Sequence, residues 1–443
     1  MYIVRNDKTV THVKHILFLL FLFSYFAVSG QDPDSVSNLK NTDGQKGGVS
    51  SLKDTYHLVY DGLYDMNGSA QNLLSISNLA GRGLDELACK PDSLTGVMRC
   101  VEKDNVIGRI LIDGVNFLFT TWISTVQHET MGHGFRVREF DVSISGYNIS
   151  PSMFGDPHID FNKDELPYYG KVLQDVGGSE ANTVFAREAF RQGLVNEYFH
   201  HYYMLAFAVK LDMPLYIIGS PEVGSYAWNT YTGGGWDVVE YIKDFEAQST
   251  DSQQAIYKAA HRGALWSLMD PSLLISLFKY TRDFIIRGRA DVKNPMISIG
   301  PVAFLPFTDF HLSPYGYEYY GGAYLKYDET LFETYYRWSS GNVDGKSYGI
   351  GVNVINLLRY NSFSFDAGID IWKQEFNLLY HNTNDDDKYH ENILSGKIYA
   401  RGNYKLKNTF SFLGQLSYKG EGFLLGNPVE NGLNAKIGMG FYF

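Results

Sequence analysis

Apolar and polar positions along this chain follow two different periods, and the change falls near residue 296. Upstream, from 55 to about 290, the spacing is mainly that of helices. "VIGRILIDGVNFLFTTWISTVQHET" reads as one long apolar helix interrupted by Arg109 and Asp113, and such a helix is expected to be buried within its domain. "SEANTVFAREAFRQGLVNEYFHHYYMLAFAVKL" is a second helical region. "DPSLLISLFKYTRDFIIRG" is a third, opened by Asp270 as N-cap with Pro271 at the first helical position. Downstream the period becomes two. Phe363, Phe365, Ala367, Ile369 and Ile371 share one face of an extended segment, while Ser362, Ser364, Asp366 and Asp370 share the other.

The alternating region, 296–443, divides into eight strands whose connections differ in length. They are tight at Asp328-Glu329, Tyr360-Asn361 and Lys407-Asn408, and long at 307–315, at 421–432 and through "NLLYHNTNDDDKYHEN". The last segment, "NAKIGMGFYF", sets Ile437, Met439, Phe441 and the final Phe443 on one face. In these features the region resembles the β-barrels of bacterial outer-membrane proteins. The resemblance implies an eight-stranded antiparallel transmembrane barrel that acts as an anchor, with outer-membrane lipid and the barrel assembly machinery as partners. The expected fold class is α+β and multi-domain: a mainly helical periplasmic domain over 55–290, then the barrel over 296–443. Alternation alone does not say whether the apolar face points inward or outward.

Residues 1–30 place Arg5, Lys8 and Lys14 ahead of the apolar run "ILFLLFLFSYFAV" and small residues after it, the layout of a secretory signal peptide. Residues 31–54 are polar, rich in Gly and Ser, and read as a flexible leader. The net charge of −11 argues against nucleic acid as a partner. The two cysteines, Cys89 and Cys100, read as a short-loop disulfide in an oxidising compartment.

Candidate chemistry concentrates in "HETMGH", residues 128–133. Two histidines four apart on a helix, with a glutamate after the first, make the usual zinc-peptidase pattern. Here His128 and His133 are five apart. In a regular α-helix that separation turns the side chains about 140° from each other. A π-helical insertion would bring them back together, and Gly132 is where the backbone could yield.

The string resembles the H-E-x-x-G-H motif of dipeptidyl peptidase III, a gluzincin-type zinc metallopeptidase. The resemblance implies one zinc ion held by His128, His133 and Glu180 of "GGSEANTVFAREAF", with Glu129 as general base and a peptide or protein as substrate. Ser179 precedes Glu180 and Val184 follows four residues later, so the carboxylate orienting a ligand histidine is expected from Glu188 or Asp141. His200 and His201 of "NEYFHHYY" are candidates for stabilising the transition state. Glu197 and His200 also match one half of a di-iron spacing, without a second half. "YTGGGWD", 231–237, reads as a turn or a lid, and "NTNDDDKYH", 382–390, as a solvated charged loop. The alternative to a peptidase is a non-catalytic outer-membrane protein whose helical domain binds a partner or lipid, with a structural metal or none.

Overall fold

Ten strands pair into one antiparallel sheet. The computed structural model describes residues 55–61, 65–91, 98–100, 106–149, 157–195, 198–230, 236–247, 249, 251–340, 347–375, 392–406 and 409–442. The strands are β1 (Thr55–Asp61), β2 (Ile297–Ile299), β3 (Val302–Ser313), β4 (Gly316–Tyr327), β5 (Thr330–Ser340), β6 (Tyr348–Tyr360), β7 (Phe363–Glu375), β8 (Asn392–Leu406), β9 (Phe410–Lys419) and β10 (Gly432–Tyr442). Their spatial order is β1, β10, β9 and so on down to β2. The main helices are α1 (Met66–Ala88), α2 (Val106–Val126), α3 (Tyr168–Val195), α4 (His201–Ala208), α5 (Asp212–Gly219), α6 (Asp237–Glu246), α7 (Gln253–Leu268) and α8 (Pro271–Tyr280).

The closed eight-stranded barrel expected over 296–443 does not form. The sheet is open: among the described residues no ladder joins β1 to β2, its two edges. Two strands beyond the expected eight take part, and one of them, β1, comes from ahead of the helices. Its partner is the last strand, in register from Thr55 opposite Tyr442 to Asp61 opposite Lys436. Closure fails at the other edge because β2 is only three residues long. The segment before it, Asp291–Lys293, pairs with Tyr198–His200 in a separate two-stranded sheet.

The connection expected to be long at 307–315 is strand. β3 runs to Ser313 and turns through Pro314-Tyr315 into β4. Asp309 and His311 disguise its period because they are polar yet buried on the face that meets the helices: Asp309 receives Arg187 of α3 at 3.3 Å and Lys210 at 3.5 Å, with His311 at 3.3 Å. Lys210 also pairs with Asp270, the N-cap of α8, at 2.8 Å.

The helical region does not hang free of the sheet. The second half of α3 lies along the concave face, where Arg191 meets Glu333 of β5 at 3.1 Å and Lys326 of β4 donates to the last carbonyls of the helix, Leu194 and Val195, at 2.9 and 2.6 Å. Phe190 stacks on Phe207 with ring centroids 3.9 Å apart and meets Tyr324 of β4 edge-on, so one apolar core joins helices and sheet. Between α3 and strands β7 to β10 lies a chamber of about 1160 Å³, whose mixed lining includes Arg187, Arg191, Glu333, Asp370 and Lys397.

The long apolar helix is not buried as expected. Val106–Arg138 is, among the described residues, the one helix long and apolar enough to cross a membrane, yet 22% of its most apolar window is buried. Ile107, Ile110, Leu111 and Leu118 point outward, and before Thr120, Ile123 and Ser124 only the polar Arg109 and Asn116 are buried. Cys89 and Cys100 stand directly opposite each other in a short hairpin. The expectations for residues 1–54, 231–235 and 382–390 and for Phe443 fall outside the described residues.

Candidate metal centre

At Gln127 the helix α2 changes pitch. Residues Gln127–His133 form a π-helix and Gly134–Arg138 resume the α form. Backbone contact with α3 accompanies the change. A β-carbon on Gly132 would lie 2.6 Å from both the carbonyl oxygen of Gly177 and the α-carbon of Gly178, so only glycine permits this approach. The buried Gln127 fixes the start of the turn, donating to the Met66 carbonyl at 3.1 Å and accepting from Ser69 of α1 at 2.9 Å.

The wider π turn, with its i→i+5 hydrogen bonds, brings residues five apart to the same side, and the ring centroids of His128 and His133 are 4.8 Å apart. Asp237, the first residue of α6, completes the group. Its Oδ2 lies 3.2 Å from Nε2 of His128 and 3.2 Å from Nε2 of His133, and all three donor atoms lie within 4.8 Å of one another. Ligands about 2.0–2.1 Å from a tetrahedral zinc ion stand roughly 3.3 Å apart. Two of the three separations already match, and the donor set, two neutral nitrogens and one carboxylate, suits zinc.

Outer contacts fix the orientation of both rings. His133 Nδ1 lies 2.6 Å from the Gln174 carbonyl oxygen, which can only accept, so in the neutral ring the proton sits on Nδ1 and Nε2 is the nitrogen left to bind a metal. Nδ1 of His128 faces Oδ2 of Asp212, the first residue of α5, at 3.7 Å, and Asn182 holds that carboxylate at 2.9 Å. Asp212 and the Gln174 carbonyl thus take the place expected for Glu188 or Asp141. Glu188 instead accepts from Gln192 inside the sheet, and Asp141 lies past the end of the helix. A β-carbon on Gly178 would stand 2.2 Å from Nε2 of His128.

Asp237 is held in turn. Its backbone N–H donates to the Tyr216 hydroxyl at 3.0 Å, and the preceding Trp236 stacks on the Tyr216 ring. One and two turns along α6, Glu240 and Asp244 receive the Lys163 ammonium at 2.9 and 3.0 Å. Lys163 also reaches the buried Asp175 of α3 at 2.9 Å. These three carboxylates have the spacing of a cation site, and Lys163 is their cation.

Burial alone would lower the proton affinity of both imidazoles. For His128 the hydrogen bonds to Asp212 and Asp237 outweigh it and raise the pKa well above the ordinary range, and for His133 the Asp237 charge raises it as well. Burial would raise Asp237, but the two imidazoles hold it well below the usual carboxylate range. The pocket therefore favours a positive charge between these three groups.

Glu129 is buried, its backbone carbonyl accepts from the Gly134 N–H, and its carboxylate charge acts on both histidines. Glu180, expected as the third ligand, stands apart from this cluster. Its carboxylate takes a fork from Arg136 (2.5 and 3.0 Å) and the N–H of Gly426 at 2.6 Å, which ties α3 to the loop before β10. His200 and His201 are also elsewhere. His200 pairs with Asp291 at 3.2 Å, and the fully buried His201 stacks on Phe284 and faces Asp113 at 3.9 Å. Asp113 precedes His128 by 15 residues on one helix, about 22 Å at the α-helical rise. Neither histidine reaches the cluster.

Asp237, Asp212, Asn182 and Gln174 escape a reading of the sequence because no local spacing links them to the histidines. The one signal is an aspartate opening a helix directly after a glycine run, "GGGWD". No protein-family model, no curated protein and no solved structure matches this chain.

Proposed function

We propose that the chain is a metal-dependent hydrolase acting on peptide bonds, with zinc held by His128, His133 and Asp237. The observation that carries this reading is the meeting of two imidazole Nε2 atoms and one carboxylate oxygen, each imidazole oriented from behind by a hydrogen-bond partner or carboxylate. Zinc bound there would supply a Lewis acid and a water molecule of lowered pKa. Three protein donors leave a fourth position open, which distinguishes a catalytic site from a closed structural one.

The protein's own residues supply the rest. Glu129 follows His128 in the buried turn and its charge reaches both histidines, which suits it to the role of general base that takes a proton from water and returns it to a leaving amine. Gly178 leaves room for the His128 ring, and Asp212 steadies it. Peptide as the substrate class rests on the likeness of "HETMGH" to the H-E-x-x-G-H motif.

Metal analysis of the purified full chain together with turnover of a mixed peptide library tests the proposal. Wild type should carry one zinc per chain and cleave peptides. His128→Ala and Asp237→Asn should lose the metal, Glu129→Gln should keep it and lose turnover, and Glu180→Gln should keep it. Zinc retained in Asp237→Asn but lost in Glu180→Gln would overturn the ligand assignment. A stoichiometric metal with no peptide cleavage would leave a structural clip in place of an enzyme.

A further inference from the structure

The sheet is inside out for a protein surrounded by water. Side chains on its concave face are polar and buried: Glu318, Glu333, Arg337, Asp370, Lys419 and Lys436 are each 6% exposed or less. On its convex face the apolar side chains are the exposed ones. Ile350, Ile371, Ile398, Leu416, Ile437 and Leu58 come from six strands, and each is between 41% and 66% exposed. Burying charge while exposing Ile and Leu is unfavourable in water on both counts. A monomer in water rarely leaves apolar patches beyond a few hundred Å² uncovered.

The free edge of β1 carries a second, independent observation. An unpaired sheet edge is tolerable in water and is not found exposed to hydrocarbon, because its N–H and C=O groups would have no partners. Here α1 completes the edge with side chains. Asn72 accepts from the Val59 N–H at 2.6 Å and donates to the Val59 carbonyl at 2.8 Å, as a neighbouring strand would, and Ser75 accepts from the His57 N–H at 2.8 Å. Asn72 and Ser75 lie three residues apart on one face of the helix.

From that helix the apolar surface continues outward. Ile76 and Leu79 of α1 are exposed, as are Ile107, Ile110 and Leu111 of the adjoining α2. Arg109, the one cation in that stretch of α2, turns inward and donates to the carbonyls of Ile285 and Ile286 at 2.8 and 3.0 Å. Those residues end the π-helix Thr281–Ile286, which follows α8, and α8 packs on β3. Helices thus bridge the opening between the sheet's two edges.

We propose that this convex surface, sheet and bridging helices together, lies against the acyl chains of a lipid bilayer, with α1 standing where one more strand would pair. Strands of ten to fifteen residues have the reach for it: about 33 Å for ten residues, shortened by tilt, covers an apolar band of roughly 25 Å. The proposal is independent of the metal centre, whose residues lie beyond the outward-facing part of α2.

Tryptophan scanning with brominated lipid tests it. The full chain is reconstituted in phosphatidylcholine vesicles with Ile398→Trp, Leu416→Trp or Ile110→Trp, apolar exchanges that do not challenge folding, and with Tyr226→Trp as the reference on an exposed helix away from the sheet. Bromine on the acyl chains should quench the added fluorescence of the first three at least twofold and leave the reference unchanged. In flotation, Ile398→Glu with Leu416→Glu should reduce vesicle partition at least tenfold with zinc content intact. Equal quenching at all four positions would overturn the proposal. So would a discrete, lipid-free dimer in water that the double glutamate variant splits, since a second copy would then be what covers the surface.

Discussion

His128 and Gly178 are in direct contact: the imidazole of the first occupies the space a β-carbon on the second would need, 2.2 Å from Nε2. The ring's position is therefore set by an absence on the opposite helix. In Gly178→Ala the ring must leave its place and with it the convergence on Asp237. Metal affinity should fall on the order of 100-fold, read by competition with a chromophoric chelator, while the helical circular dichroism stays near wild type.

Arg136 and Glu180 are a buried pair, both almost wholly inaccessible, and the carboxylate also holds the Gly426 N–H. Glu180→Ala leaves the guanidinium facing only Glu139 and the Asn427 carbonyl. A loss of about 3–5 kcal/mol is expected, measurable as a shift of the urea midpoint. Below that midpoint the variant should still bind one zinc. A variant as stable as wild type but devoid of metal would contradict the structural role given to Glu180.

Lys163 joins α3 to α6 through Asp175, Glu240 and Asp244, and Asp237 is carried on the same helix as the last two. Burial would lower the lysine's proton affinity, yet Asp175 and its neighbours raise it well above the ordinary range, so the charge is permanent near neutrality. Lys163→Met should weaken zinc binding roughly tenfold, and Lys163→Arg should restore most of it. A general loss of stability without a change in metal affinity would show that the clamp does not position Asp237.

His201 stacks face to face on Phe284 with centroids 4.1 Å apart, and its neighbour Asp113 lies about 22 Å from His128 by helix length. His201→Phe should leave peptide turnover within about twofold of wild type. The stability change should stay below about 1.5 kcal/mol, as for other exchanges of similar volume. A large fall in turnover with stability intact would place His201 in the catalytic machinery after all.

The sequence carries the strands and the histidine pair and hides most of what surrounds them. Alternation in Phe363–Ile371 reads correctly because its polar partners, Asp366 and Asp370, sit opposite Arg401 and Lys397 on the next strand. Period two is the same whichever face is wet, so it cannot say that the charged face is the buried one. β1 merges into the helical region because its seven residues are too few to show a period beside the 23 residues of α1. The metal group is half legible: two ligands share a local motif, whereas Asp237 is 104 residues beyond His133 and arrives only through the packing of α6 on α3. Glu180 looks like a ligand by its place after a glycine pair, but those glycines serve the close approach of two helices, and the carboxylate answers Arg136.

The π turn at Gln127–His133 also acts as a phase coupling. One residue more than an α-helix needs shifts everything downstream by about 100° around the axis. The outward greasy stripe of α2 and the inward row of His128, His133 and Arg136 are thereby set at an angle that an unbroken α-helix would not give them. Deleting Met131 would create the familiar four-residue histidine spacing, and it would also swing Arg136 away from Glu180. The shorter motif would appear in the sequence just as the helix that carries it lost its seat.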